Sequence, residues 1–195
     1  MEMRTMQMKA PKVREDNGKR YLEGYFAVFD EPYNVVDGWV ETVARGAFAR
    51  YLATGGDVKV LWNHDTNLVL GSTGNGTAAL REDDHGLWGS VEINPGDTDA
   101  LNALARVDRG DVTGCSFGFE IARQEEWWDD DGVYHTRITE VDPLYEVSPC
   151  TFPAYRATSI AARSRETLED AKKRRNALWK ENMLKRMKGE IQDGT

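Results

Sequence analysis

Cysteines are scarce in this sequence, and long apolar runs are missing. The chain of 195 residues contains two cysteines, Cys115 and Cys150, too few for a disulfide framework or a four-cysteine zinc site. No run of 18 apolar residues occurs, and residues 1–12 contain no apolar stretch of signal-peptide length, so neither a membrane-spanning helix nor an export signal is predicted. We therefore expect a soluble, unexported protein in a reducing compartment.

Positive charge is also scarce outside the C-terminal end. The net charge is −8; residues 163–195 hold ten basic and six acidic residues and carry +4, which leaves −12 for residues 1–162. Binding to a nucleic-acid backbone depends on clustered positive charge that displaces counterions. The acidic body therefore argues against nucleic acid as a partner, and no membrane partner is predicted.

Short segments of alternating apolar and polar residues fill the chain from Tyr21 to about Tyr155, a pattern typical of β-strands and turns. Strands are predicted at Tyr21–Phe29, Asp57–Trp62, Asn67–Ser72, Thr77–Arg81, Leu87–Ile93, Thr113–Glu125, Val133–Val141 and Leu144–Val147. Arg45–Leu52 and Thr98–Val107 instead repeat apolar residues every three or four positions, which predicts short helices. The predicted fold class is β-rich α+β, a closed or nearly closed antiparallel β-barrel with peripheral helices.

The composition changes after Ala162. Thr167–Met187 contains no Gly or Pro and is rich in Lys, Arg, Glu, Leu and Met, which predicts a long basic C-terminal helix. The expected domains are a loose, polar lead-in at 1–19, a β-barrel body at 20–162 and a basic helical tail at 163–195.

The candidate metal ligands do not form a recognisable site. Asp129–Gly132 supplies acidic side chains and a glycine but lacks the alternating ligands and the distal Glu of an EF-hand, so an ordinary hairpin turn is predicted. His64, His85 and His135 form no close ligand pair with each other or with a cysteine. We predict no metal ion and no other cofactor.

The segment Gly114–Gly118 matches G-x-S-x-G, the pattern of the α/β-hydrolase nucleophile elbow. That elbow requires a helix after the serine, whereas the alternation here continues a strand. Ser116, Gly118 and Glu120 then share one face, and Cys115 lies with the apolar side chains on the other. The context excludes the elbow but leaves Ser116 as a candidate nucleophile.

A nucleophilic serine needs a base within hydrogen-bond reach. His85 lies in the turn Asp83–Gly86, and His135 lies in a polar hairpin strand, positions that solvated histidines commonly occupy. His64 follows the apolar strand that ends at Trp62, at a strand end where loops carry function. From the spacing alone, a structural role for His64 is nevertheless favoured over a catalytic one.

Five blocks of sequence occur in a characteristic order along the chain. They are Gly24–Phe29 with the following Glu41 and Gly46–Phe48, then Val60–Asp65, Gly114–Phe119, Leu144–Pro149 and Pro153–Tyr155. Together they resemble the HK97-type prohead proteases of tailed bacteriophages over about residues 20–162. That family is similar in fold to the herpesvirus assembly proteases, which are serine-protease barrels.

The resemblance implies a serine endopeptidase with His64 as general base and Ser116 as nucleophile. Herpesvirus assembly proteases use a second histidine as the third member, but the last histidine of this chain lies in the predicted hairpin. Glu146 resembles the acidic partner of the prohead proteases, and Asp142 and Asp65 are the alternatives. The predicted catalytic residues are therefore His64, Ser116 and Glu146.

The resemblance also implies a substrate, a location and partners. The expected substrate is the major capsid protein or scaffold, cleaved during head maturation inside the assembling prohead in the host bacterial cytoplasm, with self-association there. We further predict that the basic tail directs the chain to the capsid or scaffold and is removed by self-cleavage near Ala157–Arg165. Two alternatives remain open: a non-enzymatic capsid or scaffold component with the same barrel, and a cysteine hydrolase using Cys115 or Cys150.

Overall fold

The structure of the protein is a computed structural model in which residues 2–7, 11–151 and 165–192 are described. The strands are β1 (Glu2–Gln7), β2 (Lys12–Asp16), β3 (Lys19–Val28), β4 (Tyr33–Val36), β5 (Trp39–Val43), β6 (Lys59–Trp62), β7 (Asp65–Ser72), β8 (Ala78–Glu82), β9 (Gly86–Glu92), β10 (Gly114–Trp128) and β11 (Tyr134–Cys150). The helices are α1 (Ala49–Ala53), α2 (Thr98–Arg109) and α3 (Arg165–Gln192).

The predicted strands and helices all overlap observed ones. The two segments predicted at Val133–Val141 and Leu144–Val147 form the single strand β11, which continues through Pro143. The strands β1, β2, β4 and β5 were not predicted. For β2 the reason lies in its side chains, which are exposed or half-buried along its whole length and show no apolar face.

The strands form two open sheets. The first has the order β1–β10–β11–β5–β4, with β6 paired to β11 and β7 paired to β6, and the second has the order β2–β3–β9–β8. Within the described residues, no pairing joins the first and last strands of either sheet, and β6 runs parallel to β11. The predicted closed or nearly closed antiparallel barrel is therefore wrong, although the β-rich character and the C-terminal helix are found. Alternation indicates which face of a strand is buried, and this pattern is shared by barrels and by open sheets packed face to face.

The chain divides into two compact units, the first of which comprises residues 1–31, 43–124 and 138–155. Its core includes Phe48, Phe117 and Phe119, all fully buried. The Phe48 and Phe117 rings meet edge to face with centroids 5.4 Å apart, and Phe117 stacks on Phe119 at 4.8 Å. Because successive side chains of a strand alternate between faces, this packing directs Ser116 and Gly118 to the opposite face of β10.

Strand β6 lies beside the end of β11 in the same unit. Val58 and Val60 are buried in the core, and the parallel pairing aligns Lys59 with Glu146 and Val60 with Val147. This register carries the chain that leaves β6 past the final residues of β11. The residues that follow Trp62 are therefore held next to the C-terminal end of β11.

The second unit comprises residues 32–42, 125–137 and 156–195. Within it, the Arg174 guanidinium of α3 lies 4.6 Å from the ring centroid of Trp128, and Arg175 Nη2 donates to Asp37 Oδ2 at 2.9 Å. The basic helix thus contacts the ends of two β-hairpins of its own unit, β10–β11 and β4–β5. None of the helices in the described part of the chain is long and apolar enough to cross a membrane. The domain division at 1–19, 20–162 and 163–195 stays a prediction.

Candidate active site

His64 lies in a two-residue turn between β6 and β7. Trp62 pairs with Asp65 across this hairpin, and both turn residues have left-handed backbones, with φ of 53° at Asn63 and 63° at His64. Two successive positive φ values define the type I′ turn that suits a β-hairpin, and Asn adopts this conformation more readily than most residues. Histidine is also more common at positive φ than most non-glycine residues, and at His64 the surroundings hold this conformation.

The end of β11 supplies the contacts that hold this turn. The Asn63 N–H donates to the Pro149 carbonyl at 3.1 Å, and Asn63 Oδ1 accepts from the Thr151 N–H at 2.9 Å. The His64 N–H donates to Ser148 Oγ at 3.2 Å. The backbone of His64 is therefore fixed by residues more than 80 positions later in the chain.

The side chain of His64 makes one short hydrogen bond. Its Nδ1 lies 2.7 Å from Glu146 Oε1, and the Glu146 side chain is almost completely buried. The second carboxylate oxygen, Oε2, accepts from Ser148 Oγ at 2.5 Å. Since an ionised carboxylate only accepts hydrogen bonds, this geometry places the ring proton of a neutral His64 on Nδ1.

The other ring nitrogen of His64 has no hydrogen-bond partner among the residues that the structure describes. Nε2 is buried and makes no hydrogen bond in the described part of the chain. Buried polar atoms are nearly always paired, so an unpaired one requires an explanation, and a catalytic role is one such explanation. With the proton on Nδ1, Nε2 carries the lone pair and is the atom that can accept a proton.

Ser116 lies on β10, with β1 on one side and β11 on the other. Its side chain is fully buried, and Thr5 of β1 is its backbone partner in the sheet. Gly118, two residues further on the same face, lies against Glu146: a Cβ built on Gly118 would be 2.7 Å from Glu146 Oε1. Residues two apart on a strand are separated by about 7 Å, so Ser116 lies about 7 Å from Gly118 along the same face of β10.

The structure thus brings His64 and Glu146 into direct contact and places Ser116 on the adjacent strand face. His64 Nε2 makes no hydrogen bond to Ser116. Asp65 and Asp142, the two alternatives to Glu146, are both exposed. Asp65 is exposed and accepts from the Asn67 N–H at 2.8 Å, and Asp142 is exposed on β11.

The remaining histidines lie outside this arrangement. His85 is exposed and packs edge to face against Tyr25, with ring centroids 4.5 Å apart. His135 Nε2 lies 2.8 Å from Asp129 Oδ2, and this contact holds the pKa of Asp129 below its ordinary value. Among the described residues, no group of three or more His, Cys, Asp or Glu side chains is arranged to hold a metal ion.

The comparison with known families decides the identification. The sequence profile of the family described as caudovirus prohead serine protease matches residues 5–174. The chain belongs to this family. The resemblance noted in the sequence is therefore confirmed.

One relative and one solved structure are similar to this chain. The prohead protease of Enterobacteria phage HK97 is 34% identical over 155 residues, which cover 77% of this chain and 63% of that protein. The chain therefore spans less than two thirds of that relative. Among solved structures, the bacteriophage T4 capsid assembly protease is similar with a TM-score of 0.42 and 12% identity, over 76% of this chain and 95% of that one.

Two residues beside the candidate site of this prohead serine protease chain were not identified from the sequence. Ser148 was part of the block Leu144–Pro149 but was assigned no role, because its partners are known only once β6 is placed along β11. Gly118 was noticed as a flanking glycine, and the structure shows that its missing side chain makes room for Glu146. The block Pro153–Tyr155 lies outside the described residues.

Proposed function

We propose that this chain is a serine endopeptidase of prohead maturation, with Ser116 as nucleophile, His64 as general base and Glu146 as the carboxylate that orients His64. One observation carries this assignment. The buried Glu146 carboxylate is 2.7 Å from His64 Nδ1, while His64 Nε2 has no partner among the described residues, in a chain of the prohead serine protease family.

The chemistry is acyl transfer. Ser116 Oγ attacks the scissile carbonyl carbon while His64 Nε2 takes the hydroxyl proton, and Glu146 stabilises the imidazolium that forms. The tetrahedral intermediate then breaks its C–N bond as His64 returns the proton to the leaving amine. Water, activated by the same Nε2, hydrolyses the acyl-enzyme and restores Ser116. The missing Ser116–His64 hydrogen bond is compatible with this scheme, because such bonds are often long without substrate and tighten in the complex.

The environment of Cys115 favours serine over cysteine as the nucleophile. Cys115 precedes Ser116 but is fully buried on the core face of β10. Burial raises the pKa of the Cys115 thiol, and the thiolate is the reactive form. Cys150 is also buried and directs its Sγ to the Ser148 carbonyl at 3.5 Å.

The proposed substrate is the phage capsid protein or its scaffold, cleaved inside the assembling prohead. The name of the related HK97 prohead protease supports this choice. We extend the proposal to self-association in the prohead and to removal of the basic tail by self-cleavage. The predicted junction near Ala157–Arg165 falls in a segment of which residues 152–164 lie outside the described residues.

The test combines an active-site label with substrate processing. A fluorophosphonate probe should label Ser116 in the wild type, and the modified peptide is identified by mass spectrometry. Co-expression with the phage capsid protein should shorten that protein with the wild type and leave it intact with Ser116→Ala or His64→Ala. Ser90→Ala, on β9 of the second sheet, is the matched serine control and should behave as the wild type.

The alternatives give different results. A non-enzymatic capsid component would bind the capsid protein without labelling or cleavage. A cysteine hydrolase would lose activity in Cys115→Ser or Cys150→Ser and retain it in Ser116→Ala. Either result would overturn the proposal.

A further inference from the structure

The hydroxyl of Ser148 joins the two parts of the candidate site. Its proton is donated to Glu146 Oε2 at 2.5 Å, and its oxygen accepts the His64 backbone N–H at 3.2 Å. Ser148 is fully buried, so water does not replace either bond. One side chain therefore contacts both the carboxylate and the backbone of the histidine that binds this carboxylate.

We propose that Ser148 is a positioning residue that holds Glu146 and His64 in the geometry required for proton transfer. This inference rests on the proposed function of the site. Ser148 takes no part in bond making, and its effect on catalysis is exerted through Glu146 and His64.

The bond to Glu146 fixes which carboxylate oxygen faces the histidine. A glutamate side chain has three rotatable bonds, and its carboxylate has two equivalent oxygens. With Oε2 occupied by the Ser148 proton, Oε1 remains for His64 Nδ1 at 2.7 Å. The backbone of Gly118 lies next to the carboxylate on the side of β10. Glu146 is thus confined before substrate binds, as preorganised catalysis requires.

The hydrogen bond from the His64 N–H to Ser148 Oγ holds the backbone of the proposed base in place. His64 has a φ of 63°, a conformation that non-glycine residues rarely adopt. The Ser148 oxygen pairs with the amide that this turn directs towards β11. Without this acceptor the His64 N–H would be left unpaired next to a buried carboxylate. The cost of this unpaired group would favour a turn whose His64 backbone has left the left-handed conformation.

The experiment measures the rate of Ser116 labelling by a fluorophosphonate probe in Ser148→Ala, Ser148→Thr and the wild type. We expect kinact to fall about 10- to 100-fold in Ser148→Ala, because a displacement of about 1 Å in a catalytic group costs about that much. The KI for the probe should stay unchanged, because Ser148 does not touch it. Ser148→Thr keeps the hydroxyl and should recover most of the rate.

A matched control and a spectroscopic measurement separate positioning from folding. Ser72 is also buried and also donates its hydroxyl proton to a carboxylate, that of Asp57, so Ser72→Ala removes a comparable hydrogen bond elsewhere and should keep the wild-type kinact. In NMR spectra, the hydrogen-bonded Nδ1 proton of His64 should give a downfield signal in the wild type and in Ser148→Thr. That signal should shift upfield or disappear in Ser148→Ala, at a temperature where circular dichroism shows the variant to be fully folded.

The outcomes distinguish this inference from the proposed function. If Ser116 of the wild type is not labelled, the proposed function fails. If the wild type is labelled and folded Ser148→Ala matches it in kinact and in the His64 proton signal, the positioning role of Ser148 is wrong and the proposed function stands. If Ser148→Ala does not fold, the comparison of Ser148→Thr with Ser148→Cys decides: equal kinact in these two variants would overturn the inference, because a thiol is a weaker hydrogen-bond donor than a hydroxyl.

Discussion

Gly118 on β10 provides the space that the carboxylate of Glu146 on β11 occupies. A Cβ at position 118 would lie 2.7 Å from Glu146 Oε1, closer than Cβ atoms come to other atoms, and 3.2 Å from Glu146 Cγ, a tight contact. The same oxygen accepts the hydrogen bond of His64. The absence of a side chain at Gly118 therefore leaves Glu146 free to reach His64, the proposed base.

The first prediction follows from this contact. Gly118→Ala should push the Glu146 carboxylate away from His64 and lower kcat/KM by about 100-fold, the order of loss expected for a small displacement of a catalytic group. The measurement is the rate of capsid-protein cleavage by the folded variant. Gly96→Ala is the control, since Gly96 is exposed and a Cβ added there would meet no atom closer than 3.4 Å. Wild-type activity in Gly118→Ala would show that Glu146 does not orient the base.

The second prediction concerns the charge of Glu146. Glu146→Gln keeps the size of the side chain and removes the charge that stabilises the imidazolium, so kcat should fall by about 10² to 10⁴, up to the loss seen for the corresponding change in a Ser-His-Asp protease. Asp142→Asn, which changes an exposed carboxylate of the same strand, should leave kcat unaltered. A larger loss in Asp142→Asn would transfer the orienting role to Asp142.

The third prediction concerns how the nucleophile and base act together. Ser116→Ala and His64→Ala should each abolish cleavage, and the double variant should be no worse than either single variant, because members of one catalytic unit fail together. Measured single-turnover rates for all three variants test this. Losses that multiply in the double variant would mean that the two residues act independently.

The fourth prediction concerns the stability of the turn that carries His64. Asn63→Ala and Asn63→Gly both lose the bond from the Thr151 N–H to Asn63 Oδ1, but only alanine carries a Cβ into a backbone with a φ of 53°. The free energy of unfolding should therefore be about 1 kcal/mol lower in Asn63→Ala than in Asn63→Gly, after allowing for the greater freedom of glycine in the unfolded chain. Urea unfolding curves provide the measurement. Equal stabilities would mean that the turn relaxes out of the left-handed conformation.

The fifth prediction concerns acid stability and Asp57. Hydrogen bonds from Lys59, Ser72 and the Gly74 N–H lower the pKa of Asp57 from 3.8 to about 2. Because the pKa is lower in the folded state, the ionised carboxylate stabilises the fold above pH 3.8, and this contribution is lost as the pH falls through about 2.

Asp57→Asn should accordingly lower the urea midpoint at pH 7, and its difference from the wild type should shrink between pH 4 and pH 2. Asp84→Asn, which changes a carboxylate that projects into solvent, is the control and should show a smaller difference at pH 7. A difference for Asp57→Asn that is independent of pH would contradict the assignment.

Most segments with a regular alternation of buried residues were predicted from the sequence, but β5, which buries Trp39, Glu41 and Val43 in alternation, was not. The alternation around Ser116 was sufficient to place Phe117 and Phe119 on the core face, and the apolar run before Trp62 located β6. The strands β1, β2, β4 and β5 were not predicted from the sequence. For β2, whose side chains are exposed or half-buried, the stability comes from pairing with β3 and not from an apolar face.

The residues of the candidate site were predicted only in part from the sequence. His64, Ser116 and Glu146 were named from resemblance to a family, since spacing alone favoured a structural His64. Ser148 and Gly118 could not be given roles, because each acts on Glu146 through a contact that depends on the register between separate strands. The prediction of a closed barrel was wrong for a related reason. The alternation of apolar and polar residues does not indicate whether the outer strands of a sheet pair with each other.

The parallel pairing of β6 with β11 determines when the site can exist during synthesis. His64 and Glu146 are 82 residues apart in the chain, and two parallel strands cannot pair until both have emerged from the ribosome. Contacts of such large sequence separation form late in folding. A nascent chain that has released His64 and Ser116 therefore still lacks the carboxylate and the Ser148 hydroxyl beside the base. The proposed active site of this chain can therefore be complete only once nearly all of residues 1–151 have been made.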